Sequence, residues 1–237
     1  MSTAERKSDL IARDLLRQIA QGEVEPGATL PTEAALAEHY GVNRSVVREA
    51  NKLLEVHGLV QPVRRRGTVV LDPAGSLSPL VMHALLVDAA GHINREVLAD
   101  FIEIRAELDV MMYGLAAERR TDADLAALDA GLIRLAALIE EPRAYGQEAS
   151  AFALTVAAAS HNRLFVTLAR WHQQVYDDFE ALFSLTRQAT EAHCTGCRML
   201  VEAIRAREAG IVRRLVRGFH DWVRATLLAS TAEEESV

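Results

Sequence analysis

The stretch "YGVNRSVVREANKLLEVHGLVQPVRRRGTVV", residues 40–70, decides the fold of the N-terminal part of the chain. It begins with a turn, continues into one amphipathic helix that Gly58 ends, and closes with two short apolar stretches around three arginines. Asn43 is a good N-cap for that helix. The helix's apolar face carries Val46, Val47, Ala50, Leu53 and Leu54. The two apolar stretches predict a β-hairpin with the arginines at its tip, where Gly67 is free to adopt an unusual backbone angle.

Two more helices precede this stretch. Apolar residues at helical spacing predict the first from Asp9 to Gln21, and the second runs from Thr32 or Glu33 to about Tyr40. The second and third helices are joined by the short "YGVNR" turn, which is the pattern of a helix-turn-helix. With the hairpin as its wing, a winged helix-turn-helix domain is expected over residues 1–71.

The rest of the chain is predicted to be helical. Residues 72–78, "DPAGSLS", have the composition of a linker. Ala- and Leu-rich stretches without strand alternation then predict an antiparallel α-helical bundle over residues 79–230. Its helices are expected over 79–90, 95–119, 122–140, 145–159, 161–186, 189–207 and 209–230. Residues 231–237 are expected to form an acidic tail, so the fold class is mainly α.

Composition excludes several classes of protein. The chain has 237 residues, half of them apolar and a quarter charged, which suits two modest globular domains. Two cysteines are too few for a disulfide scaffold, and no basic-then-apolar leader opens the chain. The longest apolar stretch, residues 77–91, contains His83 and Asp88 and is too short to span a bilayer. We therefore expect a cytoplasmic protein with no membrane anchor.

The charge distribution favours a nucleic-acid partner for one region only. The net charge is −7, which taken alone argues against DNA binding. Residues 40–70, however, contain six basic and only two acidic side chains. The basic residues are Arg44, Arg48, Lys52, Arg64, Arg65 and Arg66. The positive charge is therefore concentrated on the predicted helix-turn-helix and wing.

The third helix has the residue types that read base edges. An α-helix fits the major groove of double-stranded DNA, and the N-terminal residues of a recognition helix meet the bases. Asn43, Arg44 and Ser45 lie at that end, and Arg48 lies on the same face. Two arginines on a helix alone are more typical of a solvated face. The adjoining wing, with Arg64, Arg65 and Arg66 placed to reach phosphates or the minor groove, favours the DNA interpretation.

Residues 8–71 resemble the GntR family of bacterial transcription regulators through "LPTEAALAEHYGVNRSVVREANKLLEVHGLV" and "RRRGTVV". The resemblance implies operator binding as a homodimer. It places Asn43, Arg44, Ser45 and Arg48 on the recognition helix and Arg66 with Gly67 at the wing. The chain departs from the family pattern at two positions. The family usually has Gly where Arg65 stands, and it often has Arg or another polar residue where Ala34 stands.

The C-terminal part, beginning with "ADFIEIRAELDVMMYGLAAER", resembles the FadR subfamily of these regulators. That resemblance implies a bundle that dimerises and binds an effector, in many members through a divalent metal held by one Asp and three His. The corresponding positions here are Ala149, Ala153, Cys197 and Phe219, none of which matches. A shifted register involving His193, Cys197 and His220 is the alternative. We therefore expect no metal and no cofactor, as in the fatty-acyl-CoA-responsive branch.

Candidate effector-binding residues lie on two of the predicted helices. Arg105 matches an arginine that often faces the effector cavity in this subfamily, although a surface pair with Glu103 or Glu107 is an equally good interpretation. Trp171, His172 and Tyr176 lie on one long helix and either line a pocket or pack in the core. Without a metal, the expected effector has an apolar body and an anionic end, such as a fatty acid, an acyl-CoA or another small organic acid.

No pattern in the chain predicts an enzyme. The "HCTGC" segment, residues 193–197, has one CxxC pair without a second, so a structural role is favoured over zinc or redox chemistry. Glu103, Glu107 and Asp109 are more typical of ordinary helix charges than of an acid/base cluster. Nucleophile-elbow, phosphate-loop and zinc-protease motifs are absent, and no catalytic residue is predicted.

Three hypotheses follow for the function. The leading one is a ligand-responsive transcription regulator that binds operator DNA as a homodimer. The alternative from another class is a metal-binding or enzymatic helical domain fused to a DNA-binding module. A third, constitutive DNA binding with a bundle that only dimerises, differs from the first in having no ligand-sized cavity.

Overall fold

The computed structural model describes residues 6–88, 91–177 and 187–234, and their side chains except those of residues 176–177, 187 and 225–234. The chain divides into two compact units, Met1–Asn94 and Arg95–Val237. Both units are built mainly from α-helices, and the strands of the described residues form one two-stranded antiparallel sheet. The expected fold class is confirmed.

The first unit is a winged helix-turn-helix followed by one more helix. Its elements are α1 (Lys7–Ala20), α2 (Glu33–His39), α3 (Arg44–Val56), β1 (Val60–Val63), β2 (Gly67–Val70) and α4 (Pro79–Leu86). The turn between α2 and α3 passes through Gly41, whose φ of +63° is a conformation that glycine adopts without steric cost. The two strands pair with Val60 opposite Val70 and Val63 opposite Gly67, so the turn contains the three arginines. Thr29 forms an isolated antiparallel bridge to Val69.

Thr32 and Asn43 occupy the N-cap positions of α2 and α3, but only Thr32 caps with its side chain. The Thr32 hydroxyl accepts a hydrogen bond from the Ala35 amide at 3.2 Å, which fixes the start of α2. Asn43 occupies the N-cap position of α3 with extended backbone, but its side chain accepts no hydrogen bond from that helix. Asn43 is exposed, so its amide stays at the surface of the first unit.

The apolar face of α3 forms the centre of the first unit's core. Val47, Ala50 and Leu54 are fully buried. They pack in one cluster with the apolar side of α1, contributed by Ile11, Leu15, Leu16 and Ile19. Because this face is buried, the opposite face of α3 is turned to solvent.

Helix α4 packs in the first unit rather than in the bundle. Val81 and Ala84 are buried in the same cluster as α3, which keeps this apolar helix out of water. The expected linker is also held in place, since the Ser76 hydroxyl donates to the His57 carbonyl at 2.6 Å and the Ser78 hydroxyl lies 2.8 Å from His57 Nδ1. The division between units therefore falls after Asn94 and not within residues 72–78.

The second unit is an antiparallel helical bundle. Its helices are α5 (Arg95–Arg119), α6 (Asp122–Ala137), α7 (Pro142–Ala159), α8 (Arg163–Asp177), α9 (Arg187–Arg205) and α10 (Ala209–Glu234). Helix α10 continues into residues expected to form the tail, whereas 235–237 lie outside the described residues. The close approach of α6 and α7 depends on Gly131, because a Cβ there would lie 2.8 Å from the Phe152 ring.

Helices α5 and α10 pack along each other in opposite directions. Successive cross-helix pairs join Glu118 to Arg213 at 2.6 Å and Glu107 to Arg217 at 3.2 Å. Since the residue numbers on α5 fall as those on α10 rise, the two helices run antiparallel. This pairing brings Asp109 of α5 next to His220, near the middle of α10.

Candidate nucleic-acid interface and ligand cavity

The predicted recognition residues share the exposed face of α3. The side chains at its N-terminal end and one turn later are all exposed, namely Asn43, Arg44, Ser45 and Arg48. The buried face that holds them in place lies on the opposite side of the helix. The first unit thus presents two arginines, an amide and a hydroxyl on one solvated surface, which are side chains able to donate to base edges or phosphates.

The Arg48 guanidinium donates two hydrogen bonds to Glu33, a residue that was not among the predicted site residues. Its Nε donates to Glu33 Oε1 at 3.1 Å, and its Nη2 donates to Glu33 Oε2 at 2.9 Å. The hydrogen bond from Arg48, with smaller contributions from the charges of Arg48 and Arg44, lowers the pKa of the Glu33 carboxyl. The only signal for this pair in the sequence is that Glu33 follows the N-cap of α2.

The three wing arginines differ in their surroundings. Arg66 Nη2 donates to the Gly27 carbonyl at 2.6 Å, so this side chain ties the wing to the segment before α2. Arg64 and Arg65 are exposed at the turn. Arg65 has a φ of +67°, a left-handed conformation that is costly for a residue with a side chain and that explains why glycine is usual at this position.

A close approach also requires glycine at the start of β2. Gly67 has a φ of +101°, and a Cβ there would lie 3.1 Å from the Thr29 methyl carbon. The wing therefore depends on Gly67 for both its backbone angle and its packing. Gly67 therefore determines the backbone shape of the wing and provides no side-chain contact with DNA.

The second unit contains a partly open cavity of about 350 Å³ between its helices. Helices α5, α7, α8, α9 and α10 all contribute to its wall. The apolar part of the wall includes Ile102, Met112, Phe152, Phe165, Leu200 and Val216. The volume lies in the range of small-molecule sites, roughly 300 to 1,000 Å³. A ligand-sized cavity is therefore present in the bundle.

One side of the cavity carries a charged cluster. His220 Nε2 donates to Asp109 Oδ2 at 2.9 Å, and Arg105 Nε approaches the same oxygen at 3.4 Å. Burial acts to raise the pKa of the Asp109 carboxyl, but the hydrogen bond from His220 and the charge of Arg105 together hold the pKa below its usual value. Arg105 lines the cavity, and it forms an ion pair with Asp109.

A second polar group consists of neutral side chains. Tyr145 Oη lies 2.8 Å from His193 Nδ1, and Cys197 Sγ lies 3.7 Å from the same ring nitrogen. Burial, with a further effect of the charge of Arg105, lowers the pKa of His193 to about 4. Burial raises the pKa of the Cys197 thiol to about 12. A neutral imidazole beside a protonated thiol suits hydrogen bonding to a ligand more than nucleophilic chemistry.

The candidates on α8 have different outcomes. His172 lines the cavity and its Nδ1 lies 3.0 Å from the Leu168 carbonyl. Trp171 is not among the described residues of the cavity wall, which favours the second of its two interpretations, packing against other side chains. Its indole contacts the rings of Phe101 and His172, because the helical rotation from one residue to the next turns it away from the cavity. The side chain of Tyr176 lies outside the described residues.

The four positions at which the resemblance places metal ligands all line this cavity. They are Ala149, Ala153, Cys197 and Phe219. Two methyl groups, a protonated thiol and a phenyl ring do not fit a divalent metal. The nearby His193 packs against Phe219 and Tyr145, whereas His220 binds Asp109. Among the described residues, no group of three or more His, Cys, Asp or Glu is arranged to hold a metal ion.

Sequence profiles of two known families match the chain. The profile described as "Bacterial regulatory proteins, gntR family" matches residues 7–70. The profile described as "FCD domain" matches residues 100–219. The two matches fall in different compact units, the first in the winged helix-turn-helix and the second in the bundle. None of the described helices is long and apolar enough to cross a membrane.

Several relatives are named as transcription regulators. A Mycobacterium tuberculosis HTH-type regulator is 38% identical over 54% of this chain and 51% of its own length. LutR of Bacillus subtilis is 36% identical over 62% of this chain and 64% of its own length. The galactonate operon transcriptional repressor of Escherichia coli is 28% identical over 66% and 68%. The matched part of the chain therefore spans about half to two thirds of these relatives.

Solved structures share the fold. Lar of Listeria monocytogenes superposes with a TM-score of 0.61 at 17% identity and covers 98% of this chain and 99% of its own. A Streptococcus agalactiae GntR structure has a TM-score of 0.51 at 22% identity and covers 92% and 99%. At such identities the likeness concerns the fold.

Proposed function

Because the chain belongs to the gntR family of bacterial regulatory proteins, in its branch with an FCD domain, we propose that it is a ligand-responsive transcription regulator. The first unit binds operator DNA, and the second binds a small-molecule effector. The effector acts by having different affinities for the DNA-bound and the free forms. The FadR-like character of the bundle, a cytoplasmic location and a non-enzymatic role are parts of the same proposal.

The observation that carries the DNA-binding part is the composition of the exposed face of α3. Arg44 and Arg48 project from one solvated surface, while the opposite face is buried against α1. Arginine can hold guanine's two major-groove acceptors or a phosphate in a fork. The turn at Arg64–Arg66 adds positive charge beside this helix, as a wing that reaches phosphates requires.

The regulator is proposed to act as a homodimer. One helix-turn-helix reads a single half-site, and a dimer reads two half-sites separated by a turn of the double helix. A small change in the separation of two reading heads then alters operator affinity. The relatives' names include an operon repressor and operon activators, so the sign of regulation is not carried over to this chain.

The cavity supports a ligand with an apolar body and an anionic end. Most of the wall is apolar, and Arg105 and His220 lie at one side, where both contact Asp109. The volume of about 350 Å³ suits the chain of a fatty acid. The proposed effector is therefore a fatty acid, an acyl-CoA-like molecule or another small organic acid. A bundle that only dimerises has no need of such a cavity.

The test of DNA binding uses duplexes selected by wild-type protein from a random library. Replacing Arg44→Ala or Arg48→Ala is expected to weaken binding to the selected operator by about 1–3 kcal/mol and to relax base preference. Lys52→Ala, on the C-terminal half of α3, is the matched control and should have a smaller effect. Unchanged operator affinity in both arginine variants would remove the assignment of α3 as the recognition helix.

A further inference from the structure

We propose that Glu33 is a positioning residue for base recognition, holding the Arg48 guanidinium so that its free edge is presented to the DNA. The inference rests on the proposed function and assigns a role to a residue outside the recognition helix. Glu33 is the first residue of α2, where the Thr32 cap fixes the start of the helix. The contact with Arg48 therefore joins the two helices of the helix-turn-helix.

The geometry of the pair leaves the recognition edge of the guanidinium available. Arg48 uses Nε and one hydrogen of Nη2 to bind both oxygens of Glu33. A guanidinium has five N–H donors, so the two hydrogens of Nη1 and the second hydrogen of Nη2 are not used by this fork. The Nη1 and Nη2 donors that point away from the side chain form a second fork, which matches O6 and N7 of guanine.

The pair is exposed, which argues against a mainly structural purpose. The Arg48 side chain is 63% exposed and that of Glu33 is 35% exposed. Exposed ion pairs contribute little to folding stability, because water and salt screen them. Restricting the many rotamers of an arginine before DNA arrives instead reduces the entropy lost on binding.

The charge of Glu33 also distinguishes specific from non-specific DNA. A carboxylate beside Arg44 and Arg48 weakens their attraction for phosphates, which all sequences share. At a site with the correct base, the oriented Arg48 gains hydrogen bonds that a phosphate-only complex lacks. Removal of the carboxylate is therefore expected to strengthen non-specific binding and to weaken base preference.

The test measures both expected changes, the gain in non-specific affinity and the loss of base preference. Wild type, Glu33→Gln and Glu33→Ala are each used to select duplexes from a random library, and their affinities for the wild-type operator and for an unrelated duplex are measured. Glu33→Ala should lower the ratio of specific to non-specific affinity about tenfold. Glu33→Gln, which keeps one acceptor for Arg48, should have a smaller effect. Glu38→Gln removes the same charge from α2 and should leave the ratio unchanged.

A double-variant cycle locates the effect on Arg48. In the Arg48→Ala background, Glu33→Ala should produce no further loss of base preference. An unchanged motif and ratio in Glu33→Ala, or equal losses of specific and non-specific binding, would overturn the proposal. If wild type selects no motif, the proposed DNA-binding function fails and the role of Glu33 falls with it. If wild type selects a motif, the DNA-binding function stands, and the Glu33 variants alone then test the role of Glu33.

Discussion

Two arginines in this protein are held by carboxylates in very different surroundings. Arg48 binds Glu33 on the exposed face of the helix-turn-helix, whereas Arg105 lies beside Asp109 in the cavity, with side chains only 25% and 19% exposed. At the surface, water screens the pair, so the carboxylate mainly orients the guanidinium. In the cavity, charges interact in a lower dielectric, so Asp109 offsets the cost of burying Arg105, and His220 donates a hydrogen bond to the same carboxylate. An arginine–carboxylate pair therefore orients a guanidinium in the first unit and compensates a buried charge in the second.

The first unit carries its arginine pair at the surface, whereas the second buries ionisable side chains in its cavity. Mild acid is therefore expected to destabilise the second unit more than the first. His193 has a pKa of about 4 in the folded protein, and an unfolded histidine has a pKa near 6.5. The unfolded form therefore binds more protons between these values, and stability falls as the pH falls from about 6.5 to 4. The loss from His193 amounts to at most about 3 kcal/mol, because one pKa unit corresponds to about 1.4 kcal/mol.

Chemical unfolding of the full chain at several pH values measures this loss. His172, whose pKa burial also lowers, adds to the slope of wild type. His193→Gln should reduce the number of protons taken up on unfolding by about one at pH values between the two pKa values. A slope identical to that of wild type would mean that His193 is not buried as a neutral group.

Replacing Arg105 tests whether its charge anchors a ligand in the cavity. Arg105→Ala is expected to weaken binding of a fatty acid by roughly 2 kcal/mol, since a charge-assisted hydrogen bond is lost. Arg217→Ala is the control, because Arg217 forms an exposed ion pair with Glu107 on the same helix as Arg105. Calorimetry with acids of increasing chain length measures both variants.

The two possible failures of this experiment have different meanings. Unchanged binding in Arg105→Ala would remove the anchor but leave the ligand class intact. Tight binding of a small polar acid, without a gain per added CH₂ of about 0.8 kcal/mol, would remove the ligand class.

The two regions also differ in how far the sequence predicts them. The exposed face of α3 and the wing turn depend on residues within short segments, 43–48 and 64–67, so helical period and turn residues were sufficient. The cavity cluster joins Asp109 to His220 across 111 positions, and no local pattern contains that contact. The alternatives for Trp171 and His172 stayed open for a related reason, since the rotation of α8 decides which of two adjacent rings meets the cavity.

Helix α4 and Glu33 show the same limit inside the first unit. The apolar character of α4 predicted burial, and the sequence assigned this helix to the bundle, whereas Val81 and Ala84 pack in the core of the first unit. In the sequence, Glu33 is an ordinary acidic residue in the first turn of a helix. Its contact with Arg48 depends on the packing of α2 against α3. Side chains that act across helices become visible only with the tertiary structure.

The smallest expected effect concerns the wing tip. Arg65→Gly relieves a left-handed conformation and is expected to raise the stability of the first unit by less than about 1 kcal/mol. If Arg65 contacts a phosphate, the same change should flatten the dependence of log affinity on log salt by up to about 0.9. Arg65→Lys keeps both the charge and the backbone strain, so it should change neither quantity. Equal salt slopes in wild type and Arg65→Gly would place this side chain away from the DNA.

The central claim is that a ligand in the second unit alters DNA binding by the first. It is tested most directly by fluorescence anisotropy of a labelled, library-selected operator titrated with wild-type protein. The titration is carried out with and without a saturating amount of the fatty acid that binds most tightly in calorimetry. The account predicts that operator affinity changes by at least about fivefold, with an equal change in acid affinity when operator is bound. Identical operator affinity with and without the bound acid would contradict it.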